Sequence, residues 1–151
     1  MSSKKFQEFI DKENIKIKII ESREKTHTAQ QAANSHGVPV KNIVKSILVK
    51  IEDEFLLFLV PGDKRIDLER KKEEFNANEC RVANANEVKE ITGYSIGGVP
   101  PFGHKEKIKT YIEEGFSKNE ELLAAAGSSN SMFKINLGEL EKTISNFQQH
   151  H

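Results

Sequence analysis

The sequence has little of what defines several protein classes. A single cysteine, Cys80, excludes an internal disulfide framework and is typical of a reducing cytosol. No apolar run approaches the ~18 residues of a membrane span, and the N-terminal segment lacks the apolar core of a signal peptide. The 23 basic residues balance 23 acidic ones, whereas non-specific nucleic-acid binders are usually strongly basic. We therefore expect a cytoplasmic protein with no membrane partner, which contacts any nucleic acid through local patches.

No linker, internal repeat or low-complexity block divides the chain, so we expect residues 1–151 to form one domain. The five histidines show no metal-ligand spacing, and we expect neither a metal nor a cofactor. Two of them, His150 and His151, end the chain, where a tag remnant or a frayed tail is the simplest explanation. The tail from about 148 to 151 is therefore expected to be disordered or derived from a tag.

Helix and strand signals are interspersed without regular alternation. Apolar spacing and capping residues predict helices at 4–14, 27–36, 67–76, after Asn84 and after Asn136, with Thr26 capping the second and Gly37 ending it. Branched and alternating apolar residues predict strands at 15–20, 81–83, 108–114 and 131–136, and an antiparallel hairpin at 42–51 and 54–60; 121–127 is ambiguous between strand and helix. These elements predict an α+β fold with a mixed, mainly antiparallel, barrel-like sheet flanked by helices.

Lys45 interrupts an apolar row on one face of its predicted strand, with Ile43 before it and Ile47 after it. Near a strand end, such a lysine can extend its ammonium group to water. Alternatively, it is a cation held at the edge of a pocket, where partial desolvation makes it a strong hydrogen-bond donor. Ser46 points to the opposite face, and we expect it to reach the same site only through a β-bulge.

The segment from Gly93 to His104, "GYSIGGVPPFGH", contains four of the nine glycines and two of the four prolines. Gly97 and Gly98 permit backbone angles closed to other residues and let a ligand approach the peptide plane. The prolines after Val99, Pro100 and Pro101, stiffen the exit. The loop is therefore either a rigid connector or a pre-shaped backbone cradle for a sugar, phosphate or carbonyl oxygen. It matches neither a Walker loop nor a Rossmann fingerprint.

Small residues and basic residues supply weaker candidates. The segment 124–130, "AAAGSSN", either packs closely or leaves room for a ligand. His104 follows the glycine-rich loop, where it could meet a phosphate or be incidental. Lysine and arginine runs at 64–65, 70–72 and 105–109 are solvated faces unless they converge near the loop.

Taken together, these segments resemble the YbaK/prolyl-tRNA-synthetase-associated domain family, the free-standing relatives of a synthetase editing domain. The resemblance spans roughly residues 15–145 and rests on four segments in order. They are "TAQQAANSHGVPVKNIVKSILVK", "FLVPGDKRIDL", "VANANEVKEITGYSIGGVPPFGH" and "LAAAGSSNSMFKIN". The resemblance implies a mixed, barrel-like sheet flanked by helices. It also implies hydrolysis of the ester between a wrong amino acid and the 3′-terminal adenosine of tRNA.

The resemblance also implies roles for single residues. Lys45 matches the family lysine and is the expected catalytic residue. The expected substrate-binding residues are Gly97, Gly98, Val99, Pro100 and Pro101 of the GxxxP loop, with Ser46, Gly127 and Ser128, while His104 and Lys105 are candidate tRNA contacts. Parts of the family carry a histidine after the glycine of the small-residue turn, where Ser128, Ser129 and Asn130 stand here, so a histidine-assisted mechanism is not expected.

The expected activity is therefore metal-independent trans-editing, in which a small amino acid is cleared from mischarged tRNA, with tRNA-Pro as the leading candidate. The expected partners are the tRNA acceptor end and an aminoacyl-tRNA synthetase. An aminoacyl ester is already activated, so a positioned water and donors for the developing oxyanion suffice. The alternative is a module that binds the tRNA 3′ end or a nucleotide without turnover.

Overall fold

A computed structural model describes residues 2–150 and the side chains of residues 3–148. Five α-helices and eight strands follow one another along the chain. They are α1 Ser2–Lys12, β1 Ile19–Glu21, α2 Ala29–His36, β2 Ile43–Ile51, β3 Glu54–Pro61, α3 Leu68–Glu74, β4 Cys80–Val82, α4 Ala85–Thr92, β5 Lys109–Ile112, β6 Leu122–Ala125, β7 Ser131–Ile135, α5 Leu137–Phe147 and β8 Gln149–His150, with a 3₁₀ turn Val40–Asn42 before β2. No helix among the described residues is long and apolar enough to cross a bilayer.

All eight strands belong to one sheet in the order β1-β7-β6-β2-β3-β5-β8, with β4 paired to β2. The pairs β1–β7, β2–β3, β2–β4 and β6–β7 are antiparallel, whereas β2–β6, β3–β5 and β5–β8 are parallel. The two ends of the order, β1 and β8, do not pair within residues 2–150, so the sheet does not close into a barrel. The predicted α+β fold with a mixed, mainly antiparallel sheet is confirmed.

One edge of β2 is divided between two partners. Its opposite edge pairs with β3 over the whole strand, from Val44 to Ile51. On the divided edge, β6 pairs only with Ile43 and Val44, while β4 pairs only with 49–51. Residues 45–48 therefore lie at a gap in the sheet between β6 and β4, and this gap positions the site described below.

The core explains the helix positions. Phe6 and Ile10 of α1 are fully buried, and the Phe6 ring packs 5.4 Å from that of Phe133 on β7. On α5, Leu140 and Ile144 are buried in the same cluster as Val44 and other strand residues. These contacts confirm the apolar faces that the sequence predicts for the first and last helices.

Local details correct some expectations. The N-cap of α2 is Thr28, whose side chain accepts from the Gln31 N–H, whereas Thr26 bonds the Ser129 carbonyl, so the predicted Thr26 cap is wrong. Of the predicted 15–20 strand only Ile19 and Ile20 pair with β7, and the strand continues to Glu21. The ambiguous 121–127 segment contains strand β6.

The structure describes residues 148–150 of the C-terminal tail, and the expectation that this tail is disordered or tag-derived stays a prediction. Gln148 is only 7% exposed, and Gln149–His150 form β8 beside β5. His151 lies outside the described residues.

Candidate functional site

A cavity of about 390 Å³ lies at the gap in the edge of β2. Its floor is formed by Ile43–Leu48 of β2. One wall comes from the start of α2 and the residues before it, a second from β4 and α4, and a third from the glycine-rich loop. The residues of these walls include Thr26, His27, Thr28, Ala29 and Ala32; Val82, Ala83 and Val88; and Ile96, Gly97 and Val99. Most of these side chains are apolar, so few charged groups line the cavity.

Lys45 supplies such a charge at the cavity. Its half-buried side chain lines the cavity, and its Nζ donates to the main-chain carbonyl of Lys64. Burial lowers the pKa of Lys45 below its ordinary value, and the nearby Arg65 lowers it further, while Asp63 opposes the shift. Of the two interpretations of Lys45 left open by the sequence, a cation at the edge of a pocket matches this geometry.

Ser46 lines the same cavity although its side chain points to the other face of β2. The pairing of β2 with β3 is continuous, from Val44 opposite Pro61 to Ile51 opposite Glu54, so no bulge re-aims Ser46. The expectation that only a bulge could bring Ser46 to the site is therefore wrong. The cavity lies at the edge of the strand, where successive residues from both faces reach it.

The GxxxP loop divides into two parts. Gly97 is exposed, has φ +91° and would have nothing within 4 Å of an added Cβ, so its peptide plane is open to the cavity. Val99 is 7% exposed and also lines the cavity. Pro100 and Pro101 are buried and lie outside the cavity lining. The loop therefore presents its first residues to the cavity and anchors its last ones in the protein.

The small-residue turn after β6 supports this loop from behind. The Gly127 N–H donates to the Gly98 carbonyl at 2.9 Å. An added Cβ on Gly98 would lie only 2.7 Å from the Ser128 Cα, so glycine is required for this approach. The Ser128 hydroxyl forms hydrogen bonds with the Asn130 side-chain oxygen and the Ser131 hydroxyl, and Ser128 does not line the cavity. The sequence left open whether the segment 124–130 packs closely or leaves room for a ligand. The contacts of Gly127 and Ser128 agree with close packing.

Comparison with known proteins identifies the family. The family described as "Aminoacyl-tRNA editing domain" matches residues 23–143. The uncharacterised protein YwhH of Bacillus subtilis (strain 168) is 31% identical over 143 residues, which cover 94% of this chain and 90% of YwhH. The chain belongs to the aminoacyl-tRNA editing domain family.

Relatives of this editing domain include larger enzymes and a solved structure. The proline–tRNA ligase of Lactobacillus gasseri is 43% identical over 76 residues, which cover 50% of this chain but only 14% of the ligase. A solved protein proposed to be a trans-editing enzyme for prolyl-tRNA synthetase superposes with a TM-score of 0.88 and 32% identity. That alignment covers 99% of this chain and 94% of the other. The resemblance predicted from the sequence is confirmed.

His104 of this editing domain holds the loop rather than lining the cavity. Its Nε2 lies 2.6 Å from the Pro100 carbonyl oxygen, and its Nδ1 lies 2.9 Å from the Gln148 Nε2. A neutral ring with its proton on Nε2 donates to Pro100 and accepts from Gln148. Burial lowers the pKa of His104 to about 4, although the bond to Pro100 opposes this shift. Lys105 is exposed, and its main-chain N–H donates to the Thr92 carbonyl.

The basic runs of the editing domain do not all converge on the cavity. The 64–65 run lies beside Lys45. The Lys45 ammonium donates to the Lys64 carbonyl, and the charge of Arg65 lowers the pKa of Lys45. Lys71 of the 70–72 run is buried, and its Nζ lies 2.6 Å from Glu113 in an ion pair. The 64–65 run is therefore the candidate phosphate patch beside Lys45, whereas Lys71 is engaged by Glu113.

Sequence reasoning missed the residues that complete the walls. Among residues 3–148, the exposed large apolar side chains are Val82 (45%) and Ile96 (62%), and both line the cavity. Ile96 directly precedes the double glycine of the candidate loop, and this position was a usable signal. The contribution of α2 had no such signal, since Ala29 and Ala32 look like ordinary helix residues. Within the described part of the chain, no group of three or more His, Cys, Asp or Glu could hold a metal.

Proposed function

We propose that this editing domain is a metal-independent aminoacyl-tRNA deacylase that acts in trans on tRNA carrying a wrong, small amino acid. The observation that supports this best is the shared cavity of Lys45 and the open Gly97 peptide. A cation on the floor and unhindered main-chain groups on one wall suit an ester that joins an amino acid to a ribose. The main-chain groups of Gly97 and Val99 would hold the terminal adenosine and the ester.

The chemistry needs little from the protein. Water adds to the ester carbonyl carbon, an oxyanion develops on the carbonyl oxygen, and the bond to the ribose oxygen breaks as that oxygen takes up a proton. One well-placed oxyanion donor typically contributes about 10²–10³ in rate. The Lys45 ammonium supplies positive charge to this site and anchors the substrate end, while the substrate's own 2′-hydroxyl assists the water.

The residues that line the cavity favour a substrate with a small side chain. Ala83, Val88 and Val99 line the cavity, and the branched side chains of the two valines favour a substrate side chain that is small. Kinship with proline–tRNA ligases supports tRNA-Pro as the tRNA, a synthetase as a partner and the cytoplasm as the place of action. Ser46, Gly97, Gly98, Val99, Pro100, Pro101, Gly127 and Ser128 stay the predicted substrate-binding set, and His104 and Lys105 the predicted tRNA contacts. The buried prolines, Gly98, Gly127 and Ser128 would act by shaping the loop.

Deacylation of a panel of mischarged tRNAs, with proline, alanine, serine, threonine and cysteine esters, tests this proposal. Lys45→Ala is expected to reduce the rate on the best substrate by at least about 10²-fold, because a half-buried cation is lost beside the reacting ester. Its melting temperature should stay close to that of the wild type, since among the described residues the Lys45 side chain makes a single hydrogen bond, to the Lys64 carbonyl.

Lys50→Ala is the matched control, because Lys50 lies on the same strand but outside the cavity. Its rate should equal that of the wild type, and so should the wild-type rate in the presence of EDTA. Undiminished turnover by Lys45→Ala would overturn the assignment of the lysine. If the wild type binds tRNA ends but cleaves no ester, the protein is a binding module instead.

A further inference from the structure

The main chain of Ser46 faces the cavity with its hydrogen-bonding groups. In an antiparallel strand, successive residues direct their N–H and C=O groups to opposite edges. The Ile43 carbonyl accepts from the Gly62 N–H at 2.8 Å, so the odd-numbered residues of β2 bond on the β3 side. Ser46 stands directly opposite Leu59 in this register. Its own N–H and C=O therefore point away from β3, toward the gap between β6 and β4.

The neighbouring even-numbered residues have partners in that gap, but Ser46 does not. Val44 is paired with Ala124 of β6, and the Leu48 carbonyl accepts from the Ala83 N–H at 2.9 Å. Among the described residues, no hydrogen bond reaches the Ser46 N–H or C=O. The Ser46 hydroxyl is also buried without a partner. Polar groups of this kind normally find partners, because an unpaired buried group costs free energy.

We propose that the aminoacyl group of the substrate binds to Ser46 as a one-residue strand. Its ester carbonyl oxygen accepts from the Ser46 N–H, and its α-ammonium donates to the Ser46 carbonyl. An aminoacyl ester carries the same donor and acceptor order as a strand residue, and two opposed residues of an antiparallel pair exchange both bonds. This inference rests on the proposed deacylase function and adds a substrate-contacting main-chain site to it.

The arrangement assigns two tasks to one residue. When water adds to the ester carbon, the electron pair of the C=O bond moves onto the oxygen that the Ser46 N–H holds, and this charge strengthens the bond. Loss of the ribose oxygen, which takes a proton, then releases the amino acid. Directly opposed residues of an antiparallel pair also place their side chains on the same face. The substrate side chain would therefore lie on the Ser46 face. Val44 and Leu48 of that face share a buried cluster with Val88 and Val99, which line the cavity.

The first test changes the substrate and leaves the protein intact. Alanyl-tRNA is compared with isobutyryl-tRNA, in which a methyl group replaces the α-ammonium, and each enzymatic rate is divided by the spontaneous hydrolysis rate of the same ester. Loss of a charge-assisted bond to the Ser46 carbonyl should lower this ratio by about 10- to 100-fold. If the panel identifies another amino acid as the better substrate, the ester in which a methyl group replaces its α-ammonium is used.

The second test removes the N–H alone. Incorporation of the α-hydroxy analogue of serine at position 46 replaces the peptide nitrogen by an ester oxygen and keeps the side chain. The rate should fall by about 10²-fold, the typical effect of one oxyanion donor. The same replacement at Ser3 is the matched control, because the N–H groups in the first turn of a helix such as α1 have no intrahelical partner. Circular dichroism reports whether each protein is folded.

The outcomes separate this inference from the function on which it rests. A wild type that hydrolyses no aminoacyl ester contradicts the proposed deacylase function. An active wild type with equal normalised rates on the two esters excludes the bond to the Ser46 carbonyl. Equal rates for the position 46 and position 3 proteins exclude the Ser46 N–H as a donor. If the position 46 protein does not fold, the comparison of the two esters decides whether the aminoacyl group binds to the Ser46 main chain.

Discussion

The two halves of the glycine-rich loop differ in what surrounds them. Residues 95–97 are exposed, and Gly97 has open space where a side chain would be. Residues 98–102 are buried, and Gly98 touches the main chain of Ser128. The two adjacent glycines therefore have different roles. Gly97 presents its peptide to the cavity, whereas Gly98 lets two loops pack without side chains between them.

This difference shows how a loop can be both open and rigid. The exposed half gains its shape from the buried half, which is fixed by main-chain bonds such as Gly127 N–H to Gly98 C=O. His104 adds a second attachment through the Pro100 carbonyl. Changes in the buried half should therefore affect both stability and turnover, while changes in the exposed half should affect turnover alone.

Gly98→Ala is expected to have the largest effect. Its Cβ would lie 2.7 Å from the Ser128 Cα and 2.9 Å from the Gly127 carbonyl carbon, and neither backbone atom can move freely. Overpacking of this kind typically costs about 1–3 kcal/mol. We expect urea denaturation to report a loss of this size in the free energy of unfolding, together with a marked loss of deacylation.

Gly138→Ala is the matched control. An added Cβ at this position of α5 would come no closer than 3.6 Å to another atom, and alanine favours helix by about 0.5–1 kcal/mol over glycine. A stability of Gly98→Ala equal to that of the wild type would show that the two loops do not constrain each other.

A pH-dependent loss of stability at His104 is the next effect in size. The folded-state pKa of His104 is lowered to about 4 from an ordinary value of 6.5, so the unfolded chain binds the proton more readily. The contribution of the neutral ring is complete above pH 6.5 and is lost as the pH falls toward 4. His104→Gln keeps a donor and an acceptor without titrating. Its melting temperature should therefore fall less than that of the wild type between pH 7 and pH 4.

His104→Ala separates the titration from the attachment. It removes both hydrogen bonds, to Pro100 and Gln148, and should melt lower than His104→Gln at pH 7. Equal pH profiles for the wild type and His104→Gln would mean that the ring titrates at its ordinary pKa and is not enclosed by the loop.

The features that the sequence predicted well are local. The cap of α4 needs only Asn84 and Glu87, three residues apart, and both reciprocal hydrogen bonds are present. Gly93 follows that helix with φ +84°, a conformation that glycine adopts readily. The hairpin of β2 and β3 follows from two branched apolar runs and a short turn. In each case the deciding partners lie within a few residues of each other.

The features that the sequence did not predict depend on distant partners. The sequence predicted Thr26 as the cap of α2, but Thr26 donates to the Ser129 carbonyl from across the fold, and Thr28 caps the helix instead. The gap beside Ser46 exists because β6 ends its pairing at Val44 and β4 begins at Val49. Neither limit is encoded near Ser46 in the chain, so the position of the cavity could be predicted only through the family resemblance.

Ile96→Ala should have the smallest effect, and it tests the exposed half of the loop. The Ile96 side chain is 62% exposed at the mouth of the cavity, so its truncation should change the free energy of unfolding by no more than about 0.5 kcal/mol. Burial of a few methylene-sized groups against the bound substrate contributes about 1 kcal/mol, which corresponds to a KM raised several-fold with kcat retained. Steady-state deacylation and thermal melting measure the two quantities separately. A drop in melting temperature comparable to that of Gly98→Ala would contradict the division of the loop, because it would mean that the exposed half also supports the fold.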